Sequence, residues 1–495
     1  MNIPLVLHTL GNLIILLSCI MFMPFGVSLF YGTKEEIWAF AIAIIASGTV
    51  GLACKYSFKY KNNEDITVRE GFAIVVFWWV SCAFFGALPY WMTGVCNTFC
   101  DSYFESMSGL TTTGATIFAN IEGLPHGILF WRSMTQWLGG MGIVVFFVAV
   151  LPNIGVGGHK LFSAEAPGLT SNRIKPRIAQ TAKILWMIYL SLTAMVIPLF
   201  WIGGMEPFDA ICHAFTTIAT GGFSTKNQSI AAFDSLFIEI VVMIFIFISA
   251  CNYVLHYQFI TGRFKKILGN SELRFFAGLI LCAICFVTLA LFFFESSFYN
   301  GGIKEHKYES IGGSLRYAAF QAVSLTTSTG YSTADFDSWP NFCRFFLVLL
   351  MFIGGCAGST AGGMKVARIL LLLKSSAREL VRLLRPRAIM HVKLGGKPVS
   401  EDILTNTLGF FVIYLGLFGI FSLVLTIFGT EVITSFSAVA SMMNNIGPAL
   451  ADVGTTKNYS GIAYPCKWVL IFCMLLGRLE IYAVILIFLP ITWRK

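Results

Sequence analysis

The stretch LTTSTGYST, residues 325–333, sets Gly330 behind a run of hydroxylated side chains in an otherwise apolar neighbourhood. Three other stretches repeat the arrangement: LTTTGAT at 110–116 around Gly114, IATGGFST at 218–225 around Gly222, and MNNIGPAL at 443–450 around Gly447. The four glycines are separated by 108, 108 and 117 residues. Six positions before each stands a hydroxyl (Ser108, Thr216, Ser324, Ser441), and two positions before each stands Thr112, Thr220, Ser328 or Asn445. Spacing and side-chain chemistry that agree at four places mark an internal repeat, and a repeat governs how the rest of a long chain is read.

Working outward from each glycine, the setting is constant. A long apolar segment comes first, then a segment of about a dozen residues, too short to cross a bilayer as a helix. The polar stretch follows, and then another long apolar segment. The short segments are residues 101–110, 207–218, 314–325 and 431–443. Asp101, Ser314 and Glu431 suit a helix start by capping or by negative charge at the positive end of the dipole, and Pro207 by its fixed φ. The repeated unit is therefore helix, re-entrant half-helix, extended loop, helix. Two apolar runs ahead of the first unit complete the plan. The expected fold is an all-α integral membrane protein: four parallel helix–pore-loop–helix repeats around a pseudo-fourfold pore, preceded by two extra transmembrane helices. Its divisions are a prefix at 1–68 and repeats at 69–182, 183–270, 271–398 and 399–495.

Composition agrees. Of 495 residues 56% are apolar and only 12% charged, with 47 Phe, whereas a soluble chain carries about a quarter charged residues. Runs at 13–30, 37–54, 72–93 and 410–428 are long enough, or nearly so, for the ~30 Å hydrocarbon layer. The first lacks a basic flank and a small-x-small site, so it is expected to be retained rather than cleaved as a signal. Segments 55–69, 160–183, 263–274, 365–397 and the C-terminus hold 24 of the 34 Lys and Arg; Lys34, Lys226, Lys304, Lys307, Arg316 and Lys457 make 6 on the other side. That asymmetry places both termini in the cytoplasm and all four glycine loops outside. The net charge of +9 is thus an orientation signal, and no nucleic-acid partner is expected. The basic segment 365–397, amphipathic in part, is a candidate dock for a cytosolic partner or anionic lipid.

Catalytic signals are absent from the sequence. The seven His form no spaced pair, and there is no HExxH, Walker or dinucleotide fingerprint. Neither an enzyme nor a bound cofactor is expected. Most of the 13 Cys lie in apolar runs as small hydrophobes; Cys96 and Cys100, in a loop placed outside, are compatible with a bonded pair or with free thiols.

A cation that crosses a membrane exchanges its hydration shell for protein oxygens, and rings of backbone carbonyls are one way to provide them. Presenting successive carbonyls to an axis calls for backbone that Gly adopts most cheaply. The candidate filter is Thr112, Thr113 and Gly114; Thr220, Gly221 and Gly222; Ser328, Thr329 and Gly330; and Asn445, Ile446 and Gly447. One such glycine alone would read as a helix-packing residue; four at matching positions read as a filter. In the third repeat, GGCAGSTAGGMK at 354–365 interrupts an apolar stretch. Gly354, Gly355, Gly358, Gly362 and Gly363 each weaken a helix by about 1 kcal/mol relative to Ala. With Ser359, Thr360 and Lys365 they are expected to break the span into an intramembrane gating loop, admissible where it lines a cavity. Arg478 lies 31 positions after Gly447, as the glycine-rich segment lies 24 to 33 after Gly330. The same depth is expected for both, and a membrane-embedded Arg facing the path would oppose cations. Acidic residues near the loops (Glu122, Asp234, Asp335, Asp337, Asp452) are either a cation-concentrating vestibule or solvated carboxylates.

These four motifs, the two-helix prefix and the glycine-rich break resemble the TrkH/KtrB superfamily of K⁺ transporters over essentially the whole chain, with a prefix like that of TrkH. The resemblance implies K⁺ as the ion held at the filter residues, one filter glycine per repeat, a homodimer with one pore per subunit, a cytosolic nucleotide-binding regulator of TrkA type, the bacterial inner membrane, and a gating loop at 354–365. The fourth loop departs from the pattern, since NNIGPAL has no Thr, and only moderate discrimination between K⁺ and Na⁺ is expected. Two other readings share some features: a secondary K⁺ transporter coupled to H⁺ or Na⁺, and the K⁺-translocating subunit of a P-type pump. The first would use inverted repeats, against four loops entering from one side; the prefix disfavours the second.

Overall fold

The computed structural model describes residues 1–58, 67–149, 174–298, 308, 310–388 and 390–493. Parts of the basic segments (59–66, 160–173, 494–495), with Lys304 and Lys307, lie outside the described residues.

The prefix is a helix over Ile3–Ile20 continued by Phe22–Tyr31, paired with Lys34–Ser57. Small residues let the two backbones approach: a Cβ on Gly11 would sit 2.7 Å from the Gly51 carbonyl oxygen. Buried Glu36 ties the prefix to the first repeat by accepting from Ile128 N at 2.8 Å.

The four repeats follow in order. The first comprises Val68–Met92, the half-helix Phe99–Leu110 and His126–Ala149; the second Ile174–Ile202, Pro207–Ile218 and Leu236–Ala250 with Tyr253–Ile260. The third comprises Ser271–Phe298, Ile311–Thr326 and Asn341–Met351 with Val366–Leu384; the fourth Glu401–Ile427, Val432–Met443 and Tyr464–Leu479 with Ile481–Phe488. Among the described residues, six helices are long and apolar enough to cross a membrane alone and two further bent pairs bring the number to eight. The remaining spans of the expected plan are His126–Ala149, which carries Arg132 and Gln136, and the interrupted third-repeat pair.

Two half-helices begin earlier than expected, and the reason is capping. The first starts at Phe99 because Thr98 accepts from Asp101 N at 3.2 Å; Asp101 instead pairs with Lys467 at 2.6 Å. The third starts at Ile311 because Ser310 accepts from Gly313 N at 3.0 Å. The second and fourth begin at Pro207 and just after Glu431.

The expected break in the third repeat is present between Met351 and Val366. The equivalent helices of the second and fourth repeats are broken too, bent by 101° and 117°, which the sequence reading did not foresee. Asn252 restarts the second by capping Val254 N at 2.9 Å. The fourth turns at Glu480, a non-glycine residue with φ 61°. After Val366–Leu384 a two-residue ribbon, Lys393–Leu394 with Lys397–Pro398, returns the chain to the fourth repeat.

Candidate functional site

All four half-helices end in one hydrogen-bonded turn. Thr113 N, Gly221 N, Thr329 N and Ile446 N donate to the carbonyls of Ser108, Thr216, Ser324 and Ser441 at 2.8–3.0 Å. Thr112, Thr220, Ser328 and Asn445 N donate to the carbonyls three residues back at 2.9–3.3 Å. This pair of bonds is the Schellman helix end, whose left-handed residue is usually Gly. Here it is Thr, Thr, Ser and Asn, at φ 53°, 52°, 53° and 53°. Such a conformation costs an ordinary residue about 1–2 kcal/mol, and strain repeated at one register in four loops persists only where the surroundings over-determine it. The hydroxyls six positions before the glycines mark the carbonyls that close these turns. Two of them also hold the chain beyond the glycine: Ser108 Oγ donates to Ala115 O at 2.6 Å and Ser324 Oγ to Tyr331 O at 2.7 Å.

The glycines that follow sit at φ 80°, 80°, 79° and 100°, and what faces each Cα is informative. A side chain on Gly114 would strike the carbonyl oxygen of Gly221; on Gly222, that of Thr329; on Gly330, that of Ile446. On Gly447 it would lie 2.6 Å from the carbonyl oxygen of Thr113. The relation runs from loop 1 to 2, 2 to 3, 3 to 4 and back to 1. Four loops can obey such a cyclic rule only by meeting around a common axis. The fourth loop, which lacks Thr, is stitched in by Asn445, whose Nδ2 donates to Thr113 Oγ1 at 3.0 Å and to Met474 O at 2.9 Å.

The glycine-rich segment lies directly against this ring. Its ends are joined by a bridge between Ile353 and Met364, with Gly354 N on Met364 O at 3.0 Å and Val366 N on Gly355 O at 3.2 Å. Gly362 N donates to Ser328 Oγ at 2.5 Å, and Thr220 Oγ1 lies 3.2 Å from Thr360 Oγ1. A Cβ on Gly362 would sit 2.6 Å from Asn444 O. The segment therefore touches loops 2, 3 and 4. It is fastened to the broken second repeat by Cys356 N on Ala250 O at 2.9 Å and Tyr253 N on Gly358 O at 3.2 Å. Gly358 and Gly363 have φ 73° and 71°; Ser359 Oγ and Lys365 Nζ donate within the segment, to Cys356 O at 2.7 Å and Ala361 O at 2.5 Å.

Arg478 is buried at the same level. Nη1 donates to Thr360 O at 2.7 Å and Nη2 to Gly139 O at 2.9 Å, so one guanidinium clamps the glycine-rich segment to the first repeat. Glu480, at the bend two residues on, pairs with Arg368 at 2.5 Å. The helix that follows the segment is thereby held to the same bend.

A supporting layer behind loops 1 and 2 was not anticipated. Arg132 Nε pairs with Glu105 at 2.8 Å, and Arg132 Nη1 donates to Ser224 O at 3.1 Å. Glu105 also accepts from Ile117 N at 3.0 Å and Thr116 Oγ1 at 3.1 Å. A fully buried ion pair is tolerable when its remaining donors and acceptors are satisfied in this way. One turn along, Gln136 contacts Gly221 and Phe223. The signal was available: an Arg and a Gln four residues apart share one face of an otherwise apolar helix.

The acidic residues mostly fasten loops. Asp335 accepts from Thr455 Oγ1 at 2.6 Å, Asp337 pairs with Arg344 at 2.7 Å and accepts from Ala451 N at 3.1 Å, and Glu122 accepts from Asn227 N at 3.0 Å. Asp234 remains largely exposed, 3.5 Å from Arg316. Cys96 and Cys100 are free thiols, and burial pushes the Cys96 thiol up to about 12. Among the described residues no group of three or more His, Cys, Asp or Glu is arranged to hold a metal ion.

Comparison with known proteins places this geometry. The model of the TrkH family, described as cation transport protein, matches residues 36–493. The chain is 41% identical to the Trk system potassium uptake protein TrkH of Salmonella typhimurium, each covering 100% of the other. It is 40% identical to the protein of that name from Vibrio parahaemolyticus over 99% of both. The crystal structure of the potassium transporter TrkH from Vibrio parahaemolyticus superposes with a TM-score of 0.89 at 39% identity, covering 100% of both chains.

Proposed function

The chain belongs to the TrkH family of cation transport proteins, and on that premise we propose that it takes up potassium by gated permeation along the axis its four loops enclose. The observation that carries this reading is the cyclic packing of each filter glycine on the carbonyl before the next. It brings Thr113, Gly221, Thr329 and Ile446 to one level, where their carbonyl oxygens would replace water around a dehydrated cation. Thr112, Thr220, Ser328 and Asn445 would line the path below them. The segment from Gly354 to Lys365 is the gate, held shut by its bonds to Ser328 and Thr220 and by the Arg478 clamp. Opening frees two hydroxyls at the inner mouth and breaks the bond from the Arg478 guanidinium to Thr360 O together.

The loops face the periplasm and the Lys/Arg-rich segments the cytoplasm of a bacterial inner membrane, with both termini cytoplasmic, as the charge asymmetry supports. The protein works as a homodimer with a pore in each subunit, regulated from the cytosol by a nucleotide-binding subunit of TrkA type. Catalysis and a resident cofactor form no part of this reading. Purified protein in vesicles is expected to take up radiolabelled Rb⁺, with external K⁺ competing at concentrations about tenfold lower than Na⁺, a modest ratio in keeping with an unequal filter. Equal competition by Na⁺ would overturn potassium selectivity.

A further inference from the structure

At the position before the filter glycine the loops carry Thr113, Gly221, Thr329 and Ile446. Loops 1 and 3 fill it alike: Thr113 Oγ1 lies 2.7 Å from Thr111 Oγ1, and Thr329 Oγ1 lies 2.8 Å from Thr327 Oγ1. Loop 2 has neither hydroxyl, because Ala219 stands in the place of Thr111 and Thr327, and Gly221 has no side chain. The space is occupied from outside the loop. Gln136, fully buried on the helix His126–Ala149, donates from Nε2 to Gly221 O at 2.6 Å and accepts at Oε1 from Phe223 N at 3.1 Å. A Cβ on Gly221 would lie 2.9 Å from Nε2 and overlap the rest of the carboxamide. The Gln side chain and the missing Gly221 side chain are therefore complementary.

The residues ten positions into the corresponding helices of the other three repeats, as Gln136 is into its own, are Ile246, Met351 and Met474, all fully buried and apolar. None can make this bidentate contact. We propose that Gln136 is a selectivity-determining positioning residue: its carboxamide stands in for the filter side chain absent at Gly221 and fixes where the Gly221 carbonyl points. This rests on the Gly222 loop being part of a cation filter. Cation choice depends on the number and placement of the oxygens around the ion. A two-glycine loop has the least intrinsic restraint on that placement, so the restraint has to come from a neighbour. Gln136 supplies it across two backbone groups at once.

The test uses the whole chain in vesicles, reading the ratio of K⁺ to Na⁺ competition against labelled Rb⁺, with membrane protein matched by immunoblot. Gln136→Leu removes both bonds, and the near-isosteric Gln136→Glu removes the donor to Gly221 while disturbing packing least. Each is expected to lower the ratio by about tenfold, the scale of a lost buried hydrogen bond. Gly221→Thr alone collides with the carboxamide and lowers it as well. Combining Gln136→Ala, Gly221→Thr and Ala219→Thr rebuilds the arrangement of loops 1 and 3 and is expected to recover most of the ratio. An unchanged ratio in both Gln136 variants, or a triple variant no better than Gln136→Ala, would overturn the proposal. Gly222→Ser and Gly330→Ser in parallel separate the two levels. If they shift the ratio and Gln136 changes do not, only the role of Gln136 fails; if they too leave it unchanged, the filter itself is misplaced.

Discussion

Arg478→Ala raises K⁺ flux through reconstituted protein, by roughly 30-fold if the closed state loses about 2 kcal/mol. The wild-type guanidinium makes two bonds, to Thr360 O at 2.7 Å and Gly139 O at 2.9 Å. Bonds from a charged donor contribute about 1.5–3 kcal/mol each when buried. The Thr360 bond is made only while the glycine-rich segment lies against the ring, so on the proposed gating its loss weakens the closed state selectively. On the proposed reading the variant also removes a positive charge beside the path, which acts in the same direction. Arg478→Lys separates the two contributions, since it keeps the charge but cannot span both carbonyls. Flux between wild type and alanine indicates that the clamp dominates; wild-type flux indicates that the charge does. Unchanged Rb⁺ uptake in Arg478→Ala vesicles, at matched protein, would remove Arg478 from the gate.

Gly330→Ser has a comparably large effect, on selectivity rather than on flux. An added Cβ strikes Ile446 O and lies 2.8 Å from Pro448 Cδ, both parts of a fixed backbone and ring. It would also hold φ 79°, at a further cost of about 1–2 kcal/mol. The ring must widen between loops 3 and 4, where Asn445 and Pro448 already make the packing unlike that of the other pairs. Discrimination between K⁺ and Na⁺ is expected to fall by up to about tenfold, to near-equal competition, because carbonyls moved apart no longer match one ion. Gly429→Ala is the matched control: Gly429 also has positive φ, 86°, but nothing lies within 4 Å of its Cβ position. A Gly330 variant with the selectivity of the Gly429 variant would argue against the ring.

Much of this was legible in the sequence because membrane proteins announce themselves in period and charge. The four half-helices were placed within a few residues, since glycine spacing and hydroxyl position agree in every repeat. The broken third span followed from five glycines in ten positions. The left-handed residues two before each glycine were not legible: Thr, Ser and Asn carry no obligation to that conformation, and it is imposed by the Schellman turn together with the neighbouring loop. The breaks at Asn252 and Glu480 escaped notice for a related reason, as both spans are apolar on either side and neither break carries a glycine cluster. Gln136 and Arg132 were visible as polar residues in an apolar helix, yet their partners lie on loops 85 and 92 residues away, a separation that periodicity does not report.

The most direct test of a single path is where a permeant ion sits. Crystals grown with Rb⁺ and examined by anomalous scattering are expected to show density on the axis, enclosed by the carbonyl oxygens of Thr113, Gly221, Thr329 and Ile446. Rb⁺ bound elsewhere, with none among these four loops, would contradict it.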